Sequence, residues 1–102
     1  MIFKFEDTKY DISVTSKFKS DYKKIVKQNK SIEKLILVLE KISKGEKLDD
    51  KYKNHLLIND KFYKDCLECH IESDWLLIYQ IRSDKLVLVL TRTGSHSDLF
   101  KE

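Results

Sequence analysis

Two apolar runs near the end of the chain decide its fold: WLLIYQI at residues 75–81 and LVLVLT at residues 86–91. Both are rich in the large and β-branched residues that strands favour, and the short polar connection at residues 83–85 is typical of a tight hairpin. A third strand is predicted over residues 63–71, with a turn at Ser73-Asp74. Because both runs are apolar at alternate and intervening positions, helices are expected to cover the sheet that they form.

The first half of the chain predicts two helices. Between Phe18 and Val26 the apolar residues recur at i, i+4, i+7 and i+8, which makes one stripe along a helix that stops near Asn29. A second helix is predicted from an N-cap at Ser31 to a stop at Gly45. Its apolar face consists of Ile32, Leu35, Ile36, Leu39 and Ile42. Two helices this close together predict a helical hairpin.

The complete order of elements predicts the fold class. Alternation over residues 10–15 indicates a short strand ahead of the helices, and residues 97–100 follow Gly94 as one closing helical turn. The order β-α-α-β-β-β-α predicts an α+β domain, with an N-terminal helical hairpin packed on an antiparallel sheet. A length of 102 residues predicts a single domain over residues 1–102.

Composition and the N-terminal sequence exclude several classes of protein. Hydrophobic residues make up 41% and charged residues 36% of the chain, which is typical of a globular rather than a disordered protein. No apolar run approaches the roughly 20 residues of a membrane span. The first residues lack the basic and then apolar layout of a signal peptide. The sequence therefore predicts a cytoplasmic protein with no membrane partner.

The net charge of +3 is unevenly distributed along the chain. Residues 16–53, which we call the lysine segment, hold twelve lysines and six acidic residues, a charge of +6, while the flanking segments carry −1 and −2. A basic face on a nearly neutral body predicts a polyanionic partner, with nucleic acid as the first candidate. The alternative is a solvated lysine-rich surface. We expect contacts to RNA from Lys17, Lys23, Lys24 and Lys53.

Two cysteines raise the question of a cofactor. Cys66, Cys69 and His70 match the C-x-x-C-H pattern of haem attachment, but haem attachment requires export, and a zinc site would need more ligands. Residues three apart on a strand also point to opposite faces. We therefore predict reduced, structural cysteines with no metal and no cofactor. A redox or metal module is the weakest alternative.

Three histidines are the candidates for chemistry, because an imidazole can take or give a proton near neutral pH. His55, His70 and His96 lie in three separate segments, and Asp74 and Arg92 lie close to the last two histidines. A metal-free ribonuclease needs a base, an acid and a cation for the phosphate charge, and these side chains supply all three.

The segments around the histidines carry a family resemblance. YKNH at residues 52–55, ECHIESDWLLIY at 68–79 and RTGSHSDLF at 92–100 resemble the YafQ branch of the RelE-type toxins. These are bacterial toxin–antitoxin ribonucleases that cut messenger RNA on the ribosome. The resemblance runs from about residue 10 to residue 100, so residues 1–9 extend beyond the common start. This sequence differs from the family pattern at three places. Ser73 stands where the family usually has proline, Asn54 stands where the family often has aspartate, and the loop at 58–61 lacks the usual glycine.

The resemblance implies a role for each candidate side chain. His96 is the general acid and Asp74 the general base, with His70 as a base partner or phosphate ligand. His55 contacts or orients the scissile phosphate, and Arg92 stabilises the pentacoordinate phosphorane. The alternative for Arg92 is an ion pair with Asp74 or Asp98 at the edge of the sheet. The aromatic side chains that could stack on an mRNA base are Trp75 and Phe100. The alternatives are core packing for Trp75 and a hydrophobic anchor of the C-terminal turn for Phe100.

The same resemblance implies partners. These are a cognate antitoxin of the DinJ or RelB kind, mRNA on the ribosome, and ribosomal RNA docked on the lysine segment. The alternative function is a non-catalytic RNA- or ribosome-binding module on the same fold. Such a module would bind RNA with a marked salt dependence but would not cut it.

Overall fold

The computed structural model describes residues 3–100, and it confirms the α+β class and the predicted order of the main elements. One strand of two residues, His55–Leu56, is added to that order. No helix in the described range is long and apolar enough to cross a membrane. The elements are β1 (Asp11–Val14), α1 (Ser16–Lys27), α2 (Ile32–Ser43), β2 (His55–Leu56), β3 (Leu67–Glu72), β4 (Trp75–Arg82), β5 (Val87–Gly94) and α3 (His96–Leu99), with a short 3-10 turn at Asp50–Tyr52.

The two long helices begin and end close to where the sequence predicts. The Thr15 hydroxyl caps α1 by accepting the Phe18 N–H at 3.0 Å, and Asn29 follows the helix with a positive φ of 58°. Ser31 occupies the N-cap position of α2 but makes no side-chain capping bond. Gly45 ends the segment at a φ of +76°, a conformation that glycine adopts without a steric penalty.

The sheet is mixed rather than wholly antiparallel. Its strand order is β1-β5-β4-β3-β2, and the meander from β3 to β5 is antiparallel, as predicted. However, β1 pairs with β5 in parallel, with Asp11 opposite Val87 and Val14 opposite Leu90. Alternation along β1 identifies a strand, but it carries no information on the partner or the direction of that strand.

The strand β3 begins four residues later than predicted. The Asp60 carboxylate accepts the backbone N–H groups of Phe62 and Tyr63 at 2.8 and 3.0 Å. These bonds close a turn where extended backbone was expected, because aspartate bonds readily to nearby backbone N–H groups. The strand prediction was therefore wrong for residues 63–66.

The sheet separates two apolar clusters of unequal size. Alternation along β4 sends Trp75, Leu77 and Tyr79 into a large core beneath α1 and α2, on the side that we call the hairpin face. Leu76 and Ile78 point to the other side, which we call the α3 face, into a smaller cluster completed by Tyr63, Cys66 and Leu99. The candidate site lies on the α3 face.

Candidate functional site

Strand register brings one histidine and the arginine into a single row across the sheet. His55 on β2 lies opposite Glu68 on β3, Glu68 lies opposite Ile78 on β4, and Ile78 lies opposite Arg92 on β5. Directly opposed residues present their side chains on the same face. Since Ile78 points to the α3 face, His55, Glu68 and Arg92 point there too.

A second row brings the other two histidines to the same face. His70 lies opposite Leu76, and Leu76 lies opposite Gly94, two residues before His96. Adjacent strands are about 4.8 Å apart, so the backbones at His70 and Gly94 are separated by roughly 10 Å. His70 and the chain segment leading to His96 are therefore on one side of the domain.

A buried carboxylate lies between His55 and His70. The Oε1 atom of Glu68 is 3.6 Å from Nε2 of His55 and 3.4 Å from Nε2 of His70. Glu68 is only 6% exposed, and a buried carboxylate needs such polar partners. Sequence reasoning missed this residue, although its spacing of two from His70 would have placed both side chains on one face of a strand.

The segment that carries His55 is anchored to the core. The Tyr79 hydroxyl, which comes from the hairpin-face core, donates to Oδ1 of Asn54 at 2.6 Å. Burial raises the pKa of Tyr79, so the phenol remains a donor at neutral pH. Nδ1 of His55 also bonds the Lys53 carbonyl at 2.7 Å, and half of the His55 side chain remains exposed. Asparagine at position 54 is thus compatible with a fixed position for His55.

The candidate base and the candidate acid meet at the start of α3. Oδ1 of Asp74, in the turn between β3 and β4, accepts the backbone N–H of His96 at 3.0 Å. The imidazole of His96 stacks on the Phe100 ring, with 4.7 Å between centroids. The Ser95 hydroxyl caps the same turn by accepting the Asp98 N–H at 3.2 Å. These contacts fix the segment that bears His96 relative to Asp74.

Arg92 has a partner that the sequence did not identify. Its Nε and Nη2 atoms donate to the two carboxylate oxygens of Asp21 on α1, at 2.6 and 3.0 Å. The hydrogen bond with Asp21 raises the pKa of Arg92, so its charge is retained throughout the accessible pH range. One fifth of the Arg92 side chain is exposed.

The two predicted aromatic contacts differ in their surroundings. Trp75 is completely buried in the hairpin-face core, and its Nε1–H donates to the Thr93 hydroxyl at 2.9 Å. No face of its ring is open to an RNA base, so the prediction that Trp75 stacks on RNA is wrong. Phe100 is half-buried on the α3 face, between His96 and the ring of Tyr63.

The four lysines predicted to contact RNA are all exposed, but they lie on different parts of the surface. Lys24 is paired with Asp98 at 2.9 Å. Lys17 and Arg92 line the same depression, whereas Lys53 lines a cleft of about 550 Å³ together with His70. Lys23 lies on the outer surface of α1.

The turn between β3 and β4 separates two neighbouring depressions. His70 lines the cleft on one side, and Asp74 lines the depression on the other. Glu72 and Ser73 line both. His70 and Asp74 therefore lie on either side of the same turn, without sharing one enclosed cavity.

The two cysteines lie on opposite sides of the sheet, as predicted. Cys69 belongs to the hairpin-face core and Cys66 to the α3-face cluster. Burial raises the pKa of Cys69 to about 12 and also raises that of Cys66, which leaves both as neutral thiols. Within residues 3–100, no group of three or more His, Cys, Asp or Glu side chains is arranged to hold a metal ion.

Comparison with known proteins places the chain in a family. Residues 10–101 match the model of a bacterial toxin of the type II toxin–antitoxin system, YafQ. The mRNA interferase toxin YafQ of Escherichia coli strain B / BL21-DE3 is 39% identical over 92 residues, which cover 88% of this chain and 95% of the relative.

Solved structures agree with this result. A metal-bound toxin from Helicobacter pylori is 38% identical, with a TM-score of 0.83 over 89% of this chain and 99% of that one. The E. coli DinJ–YafQ toxin–antitoxin complex gives 32% identity and a TM-score of 0.80, covering 90% of this chain and 98% of the matched chain. The chain therefore belongs to the YafQ family of bacterial toxins of type II toxin–antitoxin systems, and like its curated relatives it is an endoribonuclease.

Proposed function

We propose that this endoribonuclease cuts messenger RNA on the ribosome by acid–base transesterification that needs no metal. The 2′-hydroxyl oxygen attacks the adjacent phosphorus and loses its proton to a base. The bond from phosphorus to the 5′ oxygen breaks, and an acid protonates that oxygen. The products are a 2′,3′-cyclic phosphate and a 5′-hydroxyl. Each proton transfer contributes typically 10²- to 10⁴-fold to the rate when the group is correctly placed.

The contact between Asp74 and His96 is the observation that supports this proposal most directly. Asp74 accepts the His96 N–H through one carboxylate oxygen at 3.0 Å, so its second oxygen can take the 2′ proton. His96 protonates the leaving oxygen, and stacking on Phe100 orients its ring. His70 is the other candidate for the base, or a ligand of the phosphate.

The remaining groups of the site handle the phosphate charge. His55 contacts or orients the scissile phosphate, and Arg92 stabilises the phosphorane through its fixed donors. Glu68 positions the imidazoles of His55 and His70, since its carboxylate lies between them. Phe100 offers its exposed part to an mRNA base.

The partners follow from charge and from the relatives. The lysine segment carries +6, which suits ribosomal RNA and the mRNA backbone. Because E. coli YafQ is found in complex with DinJ, we propose that an acidic antitoxin of that kind binds this chain. The ribosome-bound substrate implies a cytoplasmic protein, working as one domain. Co-expression with the short reading frame next to the gene should yield a purified complex; two proteins that separate would contradict the antitoxin proposal.

Replacement of His96 tests the proposed reaction. Purified His96→Ala, added to ribosomes translating a defined mRNA, should cut at least about 100-fold more slowly than the parent. The parent products should carry 2′,3′-cyclic phosphate and 5′-hydroxyl ends. The exposed Asp84→Ala, in the distant β4–β5 turn, is the matched control and should cut normally.

Two results would reject the proposal. Equal cutting by His96→Ala would remove the assigned acid. Binding to ribosomes without any cleavage by the parent would favour the non-catalytic RNA-binding module instead.

A further inference from the structure

The carboxylate of Asp21 satisfies three donors at the edge of the sheet. β1 ends at Val14, so within residues 3–100 no strand pairs with the outer edge of β5 beyond that point. Helix α1 runs along this edge, and Asp21 accepts the backbone N–H of Thr93 at 3.1 Å in addition to its two bonds from Arg92. The Asp21 side chain is only 13% exposed. The three donors replace the water that its carboxylate loses on burial, and they hold the carboxylate in place.

Asp21 occupies one particular edge of the Arg92 guanidinium. A guanidinium has five N–H donors in a rigid plane. Asp21 takes one from Nε and one from Nη2, which is the edge nearest the aliphatic chain. The outer edge, formed by Nη1 and the second hydrogen of Nη2, is the one that matches two oxygens of a phosphate.

The surroundings of Arg92 suit an anion at that outer edge. Arg92 lines a depression together with Lys17 and Tyr63, and α3, which carries His96, supplies Asp98 and Leu99 to the same wall. The Tyr63 hydroxyl also interacts with the Arg92 guanidinium, so a phosphate would bind beside this hydroxyl. Asp98 is paired with Lys24, so its charge is compensated. The depression adjoins the segment that holds the proposed general acid.

We infer that Asp21 is a positioning residue for Arg92: it holds the guanidinium by its inner edge and leaves the outer edge aimed at the phosphate of the RNA substrate. This inference rests on the proposed function. An arginine fixed in this way loses little side-chain freedom when the phosphorane forms, so its donors are already placed in the transition state. The substrate contact belongs to Arg92, and Asp21 acts only through it.

The closing experiment replaces Asp21 by asparagine. An amide accepts through one oxygen only, and its NH₂ group faces a guanidinium donor, so the two-point hold is lost while the shape is kept. On programmed ribosomes, Asp21→Asn should lower kcat about tenfold and leave KM within about twofold. In an Arg92→Ala background, the same substitution should change kcat by less than about twofold, because the two residues act as one unit.

A matched control separates positioning from the docking of α1. Thr15 also ties α1 to β5, since its hydroxyl donates to the Thr91 carbonyl at 2.7 Å, which is a bond to the backbone and not to the Arg92 side chain. Thr15→Ala should lower the melting temperature and leave kcat per folded molecule unchanged.

The outcomes distinguish the inference from the function on which it rests. His96-dependent cleavage with an unchanged or raised kcat in Asp21→Asn would overturn the inference alone. The inference would also be overturned if Asp21→Asn lowered kcat tenfold in the Arg92→Ala background, or if Thr15→Ala lowered kcat tenfold. No His96-dependent cleavage by the parent would reject the proposed function and this inference together.

Discussion

The two faces of the sheet use neighbouring residues of the same strand for different purposes. On the hairpin face, Leu77 is completely buried in a core that two helices of twelve residues cover. On the α3 face, Leu76 belongs to a smaller cluster, which a helix of four residues and a few side chains cover. The first face provides stability. The second leaves room for Glu68, His70 and Arg92 beside a small apolar support, which shows how one strand can serve a core and a site together.

The largest expected difference between the faces is in stability. Leu77→Ala should cost about 4–5 kcal/mol, because a cavity in the large core cannot collapse easily, and Leu76→Ala about 2–3 kcal/mol, because α3 can settle toward the gap. Denaturant titration measures both values. A Leu76→Ala cost equal to or above that of Leu77→Ala would contradict this comparison.

The next effect concerns activity on the α3 face. Glu68→Gln keeps the size of the side chain but removes the charge between His55 and His70, and it should lower the cleavage rate about 10- to 100-fold through misplaced imidazoles. Glu33→Gln on the exposed side of α2 is the matched control. A Glu68→Gln protein that folds and cuts at the parent rate would show that the carboxylate does not position the histidines.

A smaller difference should appear in the two thiols. Burial raises the pKa of Cys66 and of Cys69, and that of Cys69 reaches about 12, so both resist alkylation at pH 8 in the folded protein. Cys66, under the short helix, becomes accessible through local opening, whereas Cys69 requires disruption of the main core. Mass spectrometry should therefore show Cys66 labelled at least about ten times faster. Faster labelling of Cys69 would reverse the assumed order of local stability.

The smallest effect is a pH dependence at the rim of the sheet. A hydrogen bond from Lys34, at 2.8 Å, lowers the pKa of Glu72 in the folded state. Its contribution is complete above the pKa of the unfolded carboxyl and is lost as the pH falls through the lower folded pKa. Exposure keeps it small. Between pH 7 and pH 3, Glu72→Gln should lose slightly less stability than the parent, as measured by thermal unfolding. A larger loss in Glu72→Gln would show that the ionised Glu72 does not stabilise the folded state.

The sequence predicted those parts of the molecule that depend on local spacing. The apolar stripes of the helices and the hairpin of β4 and β5 are each determined by residues that are close together in the sequence. The partner of Arg92 was not, because Asp21 lies 71 residues away. The error at Trp75 has a related cause. The apolar run at residues 75–81 predicts a sheet covered by helices, but it does not say which of its side chains lie beneath those helices. The role of Glu68 depended on register with β2, a strand too short to predict.

The parallel pairing of β1 with β5 has a consequence for biosynthesis. Thr15 and Thr91 bond to each other across 76 positions of sequence, so the first strand has nothing to pair with until the last has been made. Contacts between such distant segments form slowly, and they complete the sheet only at the end of folding. The contact between Asp21 and Arg92 has the same delay. A nascent chain therefore cannot complete its sheet until β5 has been synthesised, and the ribosome that makes it is not exposed to an assembled site before then.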